Sequence, residues 1–399
     1  MKFSRRDLVK AAGAAALLPL FPRAGFAGDW ASLEAQAKGQ TVYFNAWAGS
    51  EPINAYIAWA AEQVKARYGV TLAHVKIADV AEVVRRVRDE VKAGKAEGSA
   101  DLVWINGENF RAMKAEKLLF GPFAKELPNF KYVDTEGKPT TLVDFAEATD
   151  GLESPWGMAQ LTFFGDGAKI SVPPKSMDEL VAFAKANPGR VTYPAPPDFH
   201  GTTFVKQALY ESITDRSFLS LPAESVEFHR AVAPLFDLLD SLHPHLWRKG
   251  QQFPQSQAQL KQMLADGELL MALTFNPNEP ANLVASGELP QSTVAWQHRA
   301  GTIGNTHFVA IPVNSKATAG AQVVANFLLS PEAQGRKADL KIWGDPTVLA
   351  TAKLSADEAR FFGTSVVPGS VVEPAPALPE PHGSWVPLLE TAWLESYGT

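Results

Sequence analysis

Cysteine is absent from all 399 residues of the sequence. Disulfide bonds and a lipid anchor on a cysteine are therefore excluded, and stability has to come from the burial of apolar side chains. The composition allows this, because 46% of the residues are hydrophobic and a chain of this length has room for two lobes of ordinary size.

Long apolar runs and an excess of basic residues are also missing. After residue 27 no segment approaches the roughly 18 uninterrupted apolar residues expected of a membrane-spanning helix. The formal net charge is −6 and no basic stripe is present, which argues against a nucleic-acid partner. We therefore expect a soluble chain that does not bind nucleic acid.

The first 27 residues have the pattern of a cleaved export signal. A basic start that includes Arg5-Arg6 precedes an apolar stretch, 11–21, that is too short to span a bilayer. Small residues at positions 25 and 27 predict cleavage after Ala27. Residues 4–10 resemble a twin-arginine signal, and both this export route and the general one stay open. We predict a mature, monomeric protein in the periplasm; an amphipathic surface helix is the alternative for this segment.

Strands and helices alternate in the first third of the mature chain. Such an alternation predicts β-α-β units and a mostly parallel sheet. Ligands of such sheets bind at the carboxyl ends of the strands, so the segments Trp47–Glu51 and Asn106–Asn109 should share a crevice. The predicted strands are 41–47, 70–77 and 100–105, and the predicted helices are 53–68, which Gly69 closes, 80–93 and 110–116.

The rest of the chain contains a second set of elements. Ser176, with Glu179 three residues later, predicts the capped start of a helix. Buried strands are predicted at 190–193, 269–275 and 304–312, the last returning to the first sheet. The Pro-rich stretch 368–381 is expected to be a surface excursion, because tryptophans follow it at positions 385 and 393.

Several short motifs, in this order, resemble the solute-binding proteins of ABC transporters, in the group that binds polyamines, thiamine and ferric iron. The motifs are Asn45-Ala46-Trp47, Ala100-Asp101-Leu102-Val103-Trp104, Pro155-Trp156-Gly157, the helix start at 174–180, and the return strand and helix at 307–312 and 326–333. The resemblance implies an α/β, two-lobed periplasmic-binding-protein fold of the class II type. In that fold each lobe is a mostly parallel sheet flanked by helices, and crossing hinge strands join the lobes.

The same resemblance sets the expected domains and partners. After the leader, 1–27, lobe 1 should contain 28–157 and 304–345, lobe 2 should contain 158–303, and 346–399 should be a helical and Pro-rich segment packed on the lobes. Such a protein closes on its solute like a hinged clamp and docks on a membrane permease with its ATPase. It needs no cofactor, no metal and no catalytic residue, so we expect no enzyme.

The loops that should line the cleft are rich in carboxylates, rings and amides, and they contain no Lys or Arg. An anionic solute would favour basic side chains, whereas carboxylates and aromatic faces together suit an organic cation. We therefore predict a thiamine-like or polyamine-like solute, with Asp198 as the first candidate for its counter-ion. The predicted ligand contacts are Trp47, Ser50, Glu51, Asn106, Glu108, Trp156, Asp198, Phe199, Thr202, Asn276, Glu279 and Asn305.

Other interpretations stay open at this point. Trp156 could pack the hinge, and Glu51 could serve only the start of the next helix. Ser50 at that helix start could bind a phosphorylated solute through backbone N–H groups. Ferric iron is a further candidate, although His243-Pro244-His245 alone is a weak metal motif. An exported hydrolase is the rival of another class, but the sequence has no Gly-x-Ser-x-Gly elbow.

Overall fold

A computed structural model describes residues 30–363 and 367–398, so the predicted leader lies outside the described residues. Among these residues no helix combines the length and the apolar character needed to cross a membrane. The helices are α1 Trp30–Ala37, α2 Glu51–Tyr68, α3 Val80–Lys92, α4 Glu108–Ala115, α5 Met177–Ala186, α6 Phe199–Ser212, α7 Phe228–Leu242, α8 Gln257–Ala265, α9 Glu279–Ala285, α10 Thr318–Leu328, α11 Pro331–Ala338, α12 Ala356–Ala359 and α13 Trp385–Tyr397. The strands are β1 Thr41–Trp47, β2 Thr71–Ile77, β3 Leu102–Ile105, β4 Val143–Asp144, β5 Glu147–Ala148, β6 Glu153–Gln160, β7 Thr162–Asp166, β8 Met271–Thr274, β9 Thr293–Trp296, β10 Thr302–Ala310 and β11 Ala377–Leu378.

The first sheet has the strand order β11-β10-β3-β1-β2, and β6 also pairs with β10. β1 runs parallel to β2 and β3, and β10 joins the same sheet antiparallel to β3. The predicted alternation of strands and helices is therefore confirmed, including the strand that returns near residue 304. Gly69 ends α2 with φ of 68°, the left-handed conformation expected of a helix-terminating glycine.

The sheet of the second lobe differs from the expectation. Its three strands have the order β8-β7-β9, and both pairs are antiparallel, so the two-lobed fold is confirmed but the second ladder is not parallel. The strand predicted at 190–193 does not form. The Arg190 carbonyl accepts from Leu270 N and the Val191 carbonyl accepts from Trp247 N. Because these partners belong to two separate segments, no ladder develops.

The lobes are joined along β6 and β10, which pair antiparallel from Gly304 opposite Gln160 to Ala310 opposite Glu153. A third segment runs beside them, since β11 pairs with the start of β10. We call residues 376–384 the C-terminal strap. The prediction of a surface excursion is therefore wrong at its end: residues 380–384 are buried, whereas most of 372–379 is exposed.

Each lobe has its own apolar core, and both cores are assembled from distant parts of the chain. The core of lobe 1 contains Phe44, Trp156 and Trp343. The core of lobe 2 contains Phe163 and also Trp385 and Trp393 of α13. The C-terminal helix is thus part of lobe 2, and burial of its rings contributes to that lobe's stability.

The start of α5 is held by the predicted cap. Ser176 Oγ accepts from Glu179 N at 3.2 Å, and a Glu179 carboxylate oxygen accepts from Lys175 N at 2.8 Å. We expect Ser176→Ala to lower the free energy of unfolding by about 1 kcal/mol, measured by urea denaturation. Ser241→Ala is the control, because the exposed Ser241 hydroxyl donates only to the Leu238 carbonyl of its own helix. Equal losses in the two variants would contradict the capping role.

Candidate functional site

A lysine from the middle of α6 lies where the two lobes meet. The Lys206 side chain is 1% exposed, and its Nζ atom lies 2.5 Å from an oxygen of Glu380 in the C-terminal strap. The same nitrogen lies 4.7 Å from the ring centre of Phe145 and 5.7 Å from that of Phe199. The predicted cleft loops contain no Lys or Arg, and this lysine comes instead from a helix.

The sequence at the start of α6 explains this placement. Asp198 Oδ1 accepts from His200 N at 2.9 Å and from Gly201 N at 3.3 Å, which fixes the first turn. A Cβ atom on Gly201 would lie 2.1 Å from the Pro194 carbonyl oxygen, so only glycine allows this close approach. Phe199, Thr202 and Lys206 are then on one face of the helix. Asp198, the first candidate for a counter-ion, thus has a capping role in this structure.

Lobe 1 contributes an aromatic ring from a strained turn. Phe145 and Ala146 form the two-residue loop between β4 and β5, and their φ angles are 43° and 64°. Loops of this type favour Asn and Gly, because positive φ is costly for a bulky side chain. This turn places the buried Phe145 ring against Lys206. Strain of this kind is typical of functional sites.

Carboxyl groups outnumber cations around Lys206. The charges of Glu108, Asp144, Glu380 and Glu390 all interact with Lys206. Burial raises the pKa of Glu108 to about 7, and burial also raises the pKa of each of the other three carboxyl groups. Because buried like charges disfavour ionisation, a further cation in this cluster would stabilise the charged forms.

Hydrogen bonds tie this cluster to the hinge and to both lobes. Asn305 Nδ2 donates to Glu380 Oε1 at 3.0 Å, and the Thr202 hydroxyl donates to Glu390 Oε1 at 2.7 Å. Asp144 accepts from Gly107 N at 2.7 Å. The second oxygen of Asp144 and the side-chain oxygen of Asn305 are buried and accept no hydrogen bond from the described residues. Buried acceptors of this kind favour a ligand that donates hydrogen bonds.

Four further predicted contacts lie on lobe 1, around the carboxyl ends of β1 and β3. Trp47 is 38% exposed, and Glu51 is exposed and accepts from Asn54 Nδ2. Ser50 precedes α2 without a capping hydrogen bond from its side chain. Asn106 is half-buried, next to the Gly107–Glu108 turn. The structure therefore brings Glu108, Phe199, Thr202 and Asn305 together around Lys206. Trp47, Ser50, Glu51 and Asn106 are not part of that cluster.

Trp156 belongs to the core of lobe 1 and not to the cleft. Its side chain is fully buried, and its ring centre lies 4.9 Å from that of Trp104 and 5.5 Å from that of Trp343. Its carbonyl accepts from Lys337 and Gln334. The ring has no free face for a solute, so its predicted role as a ligand contact does not fit this structure.

Glu279 is already neutralised inside lobe 2. Its carboxylate lies 2.5 Å from Lys261 Nζ and accepts from Gln257 at 2.9 Å and from Thr274. Burial alone would raise the pKa of Glu279, but Lys261, the Thr274 hydroxyl and His200 together outweigh it and lower that pKa. A carboxylate with these partners is poorly placed to be the counter-ion of a solute.

The neighbouring Asn276 links the two lobes. Its side chain donates to the Trp343 carbonyl at 3.1 Å, and Asn278 donates to the Gly344 carbonyl at 2.6 Å. Asn276 was predicted to contact the ligand, but in this structure its amide nitrogen bonds to lobe 1.

The comparisons with known proteins agree with this architecture. The profile of the bacterial extracellular solute-binding protein family matches residues 59–360. The chain belongs to this family. Protein YnjB of Escherichia coli (strain K12) is 48% identical to it over 384 residues, which are 96% of this chain and 97% of that protein.

Solved structures of such solute-binding proteins share the fold at low sequence identity. The spermidine/putrescine substrate-binding protein PotD of Streptococcus pneumoniae, solved with calcium and HEPES, has a TM-score of 0.61 and 13% identity, covering 90% of this chain and all of that chain. The periplasmic binding protein AfuA of Actinobacillus pleuropneumoniae, solved with fructose-6-phosphate bound, has a TM-score of 0.59 and 16% identity, covering 90% and 98%. The chain is thus a bacterial extracellular solute-binding protein, and its structural neighbours differ in what they bind.

Sequence reasoning missed five residues of this solute-binding protein's candidate site. One of them had a local signal: Lys206 is the only Lys, Arg, Asp or Glu in the stretch 199–210, and a lysine has to be paired where such a helix is buried. Nothing in the Pro-rich sequence around Glu380 indicates a role in the site, because only the tertiary fold brings the strap to α6. Within residues 30–363 and 367–398, no three His, Cys, Asp or Glu side chains converge as metal ligands. The missed residues are Asp144, Phe145, Lys206, Glu380 and Glu390.

Proposed function

We propose that this protein captures a small organic cation, thiamine-like or polyamine-like, between its two lobes. It does so in the periplasm, as a monomer released from its leader near Ala27, and delivers the solute without bond chemistry to the permease and ATPase of an importer. One observation carries the proposal: among the described residues, four buried or half-buried carboxyl groups surround the single ammonium group of Lys206.

The charge balance supports a cation over an anion. Lys206 is already paired with Glu380, so an additional anion would meet Glu108, Asp144 and Glu390 without a free basic partner among the described residues that surround them. An anion would favour the protonated, neutral forms of these carboxyl groups, whereas a cation stabilises their ionised forms and offers each a partner. The rings of Phe145 and Phe199 add faces for cation–π contact, worth about 0.5–2 kcal/mol each.

The division of these groups between the lobes supports capture by closure. Glu108 and Phe145 belong to lobe 1, whereas Phe199, Glu380 and Glu390 belong to lobe 2 and the strap. A solute that contacts both sets binds the closed form better than the open form and therefore shifts the equilibrium toward closure.

A phosphorylated solute is the second candidate, and Lys206 is the observation that favours it. A phosphate could replace Glu380 as the partner of this ammonium group. AfuA, a structural neighbour, was solved with fructose-6-phosphate, whereas PotD is named for spermidine and putrescine. We rank the cation first because a cation stabilises the ionised forms of Glu108, Asp144 and Glu390, whereas a phosphate stabilises none of them.

A thermal-shift screen of the protein purified from the periplasm tests the proposal. The panel contains thiamine, its phosphates, spermidine, putrescine, choline, fructose 6-phosphate and ferric iron. A cationic solute at 100 times its Kd should stabilise the folded protein by about 2.7 kcal/mol, and titration calorimetry should confirm binding at one site. Stabilisation by the phosphorylated sugar or by iron, with no response to any amine or to thiamine, would refute the cation proposal.

A further inference from the structure

The ammonium group of Lys206 has the partners that a cationic solute requires. A carboxylate oxygen of Glu380 lies 2.5 Å from its nitrogen, and two ring centres lie within 5.7 Å. An ammonium group held by a carboxylate and by aromatic faces is the arrangement that recognises organic cations. In this structure the ammonium group of Lys206 takes the place of such a cation.

Both lobes take part in enclosing this ammonium group. Phe145 comes from lobe 1, Phe199 from α6 of lobe 2 and Glu380 from the strap, which also touches lobe 1 where Gly383 N donates to the Phe145 carbonyl at 3.2 Å. Opening of the lobes would move Phe145 away from Lys206. The enclosure is therefore complete only when the lobes are closed.

The pairing has an energetic role when no solute is bound. A buried carboxylate without a partner is strongly destabilising, and Lys206 removes that cost from Glu380. Asn305, the other partner of Glu380, donates a neutral hydrogen bond to the opposite carboxylate oxygen, at 3.0 Å. The ammonium group of Lys206 thus provides the positive charge that lets the strap, α6 and lobe 1 pack together.

We propose that Lys206 is a tethered competitor of the solute: its ammonium group holds the Glu380–Phe145–Phe199 position, and the cationic group of the solute must displace it. This inference rests on the proposed function. The apparent affinity for the solute then equals the intrinsic affinity multiplied by the fraction of protein molecules in which Lys206 has left this position. Lys206 also acts in selectivity, because a solute with a single cationic centre only exchanges one ammonium group for another, whereas a solute that also reaches Glu108 or Glu390 gains a new ion pair.

The variant Lys206→Met tests this role, because it removes the charge and keeps most of the length and apolar volume. A residue that merely supports the site would lose affinity when replaced, whereas a competitor gains it. We expect spermidine or thiamine, whichever binds the wild type, to bind the variant at least about tenfold tighter. Choline, with one cationic centre, should bind the variant measurably better than the wild type. Lys206→Gln provides the same test with a polar side chain if the Met variant does not fold.

The control is Lys138→Met. This lysine is half-buried, and its ammonium group donates to the carbonyls of Thr347 and Leu349. Its replacement should leave the Kd for cations unchanged. Calorimetric Kd values that are equal or weaker in both Lys206 variants, with the wild type binding a cation, would overturn the competitor role and leave the proposed function intact. If the wild type binds fructose 6-phosphate and no cation, and Lys206→Met loses that binding, then Lys206 is an anion contact and both proposals fail.

Discussion

Glu108→Gln should weaken the binding of the cationic solute by about 2–5 kcal/mol, the range for removing one partner of a buried charge pair. Glu108 begins α4, directly after Gly107, and its charge interacts with Lys206, Glu380 and Glu390. The substitution keeps the shape of the side chain and removes its charge. The Kd from titration calorimetry measures the loss.

The pH dependence of binding provides an independent measurement on the same residue. Burial raises the pKa of Glu108 to about 7, so in the free protein the carboxyl group is mostly protonated below that pH. A cation binds the ionised form, and the affinity should therefore fall as the pH decreases below about 7. Binding near neutral pH should also release protons to the buffer. Glu108→Gln should remove this part of the pH dependence.

The stability of the free protein should change with pH in the opposite direction. Between its usual pKa of 4.5 and the raised value of about 7, Glu108 holds its proton in the folded chain and loses it in the unfolded chain. The folded state binds more protons over this range, so the free energy of unfolding decreases as the pH rises through it. The variant should show a flatter profile in urea titrations.

Glu126→Gln is the control for these experiments, because Glu126 is exposed on lobe 1 and should not alter Kd or the pH profile. An unchanged Kd in Glu108→Gln would show that this carboxylate does not face the solute's charge. Loss of affinity with an unchanged pH profile would place the titrating group on another carboxyl, such as Glu380 or Glu390.

Lys337→Met should lower the free energy of unfolding by about 3–5 kcal/mol, the range for breaking a buried ion pair. The Lys337 ammonium is fully buried, lies 2.5 Å from Asp345 Oδ2 and donates to the Trp156 carbonyl in the hinge strand β6. It also lies between the rings of Trp156 and Trp343, 5.4 and 5.3 Å from their centres. Without it Asp345 keeps only His307, at 3.3 Å, as an ionisable partner among the described residues.

Urea denaturation measures this loss, with Lys341→Met as the matched control. Lys341 is exposed four residues further along the chain, and its substitution should change the stability by less than about 0.5 kcal/mol. Adding Asp345→Asn to Lys337→Met should recover part of the loss, because the unpaired charge is then removed. A loss below about 1 kcal/mol in the single variant would show that the pair contributes little net stability.

The fold of lobe 1 was predictable because its signals are local. Gly69 ends a helix through its own backbone conformation, and the alternating strands carry continuous apolar runs. Lobe 2 was less predictable. Residues 190–193 have the composition of a buried strand, and Tyr193 is fully buried. Their hydrogen-bond partners nevertheless come from two different segments, and no sequence window contains that information.

The candidate site was predictable where residues follow strand ends and not where the tertiary fold decides. Glu108 follows β3, as the position of ligands in α/β sheets requires. Asp198 and Glu279 are also carboxylates that follow predicted strands, but both are already engaged. Asp198 caps the start of α6, and Glu279 pairs with Lys261. Lys206 and Glu380 are 174 residues apart. Their pairing depends on the strap, which no local pattern predicted.

The position of α13 in lobe 2 has a consequence for the synthesis of the chain. Residues from β7 to β9 are made before lobe 1 is complete, and Trp385 and Trp393, which are 0% and 1% exposed in the lobe 2 core, are made last. Lobe 2 cannot finish its core while the ribosome is still adding those residues. Folding to the state described above therefore follows translation, and a chain released before Trp385 should be a substrate for proteases and chaperones.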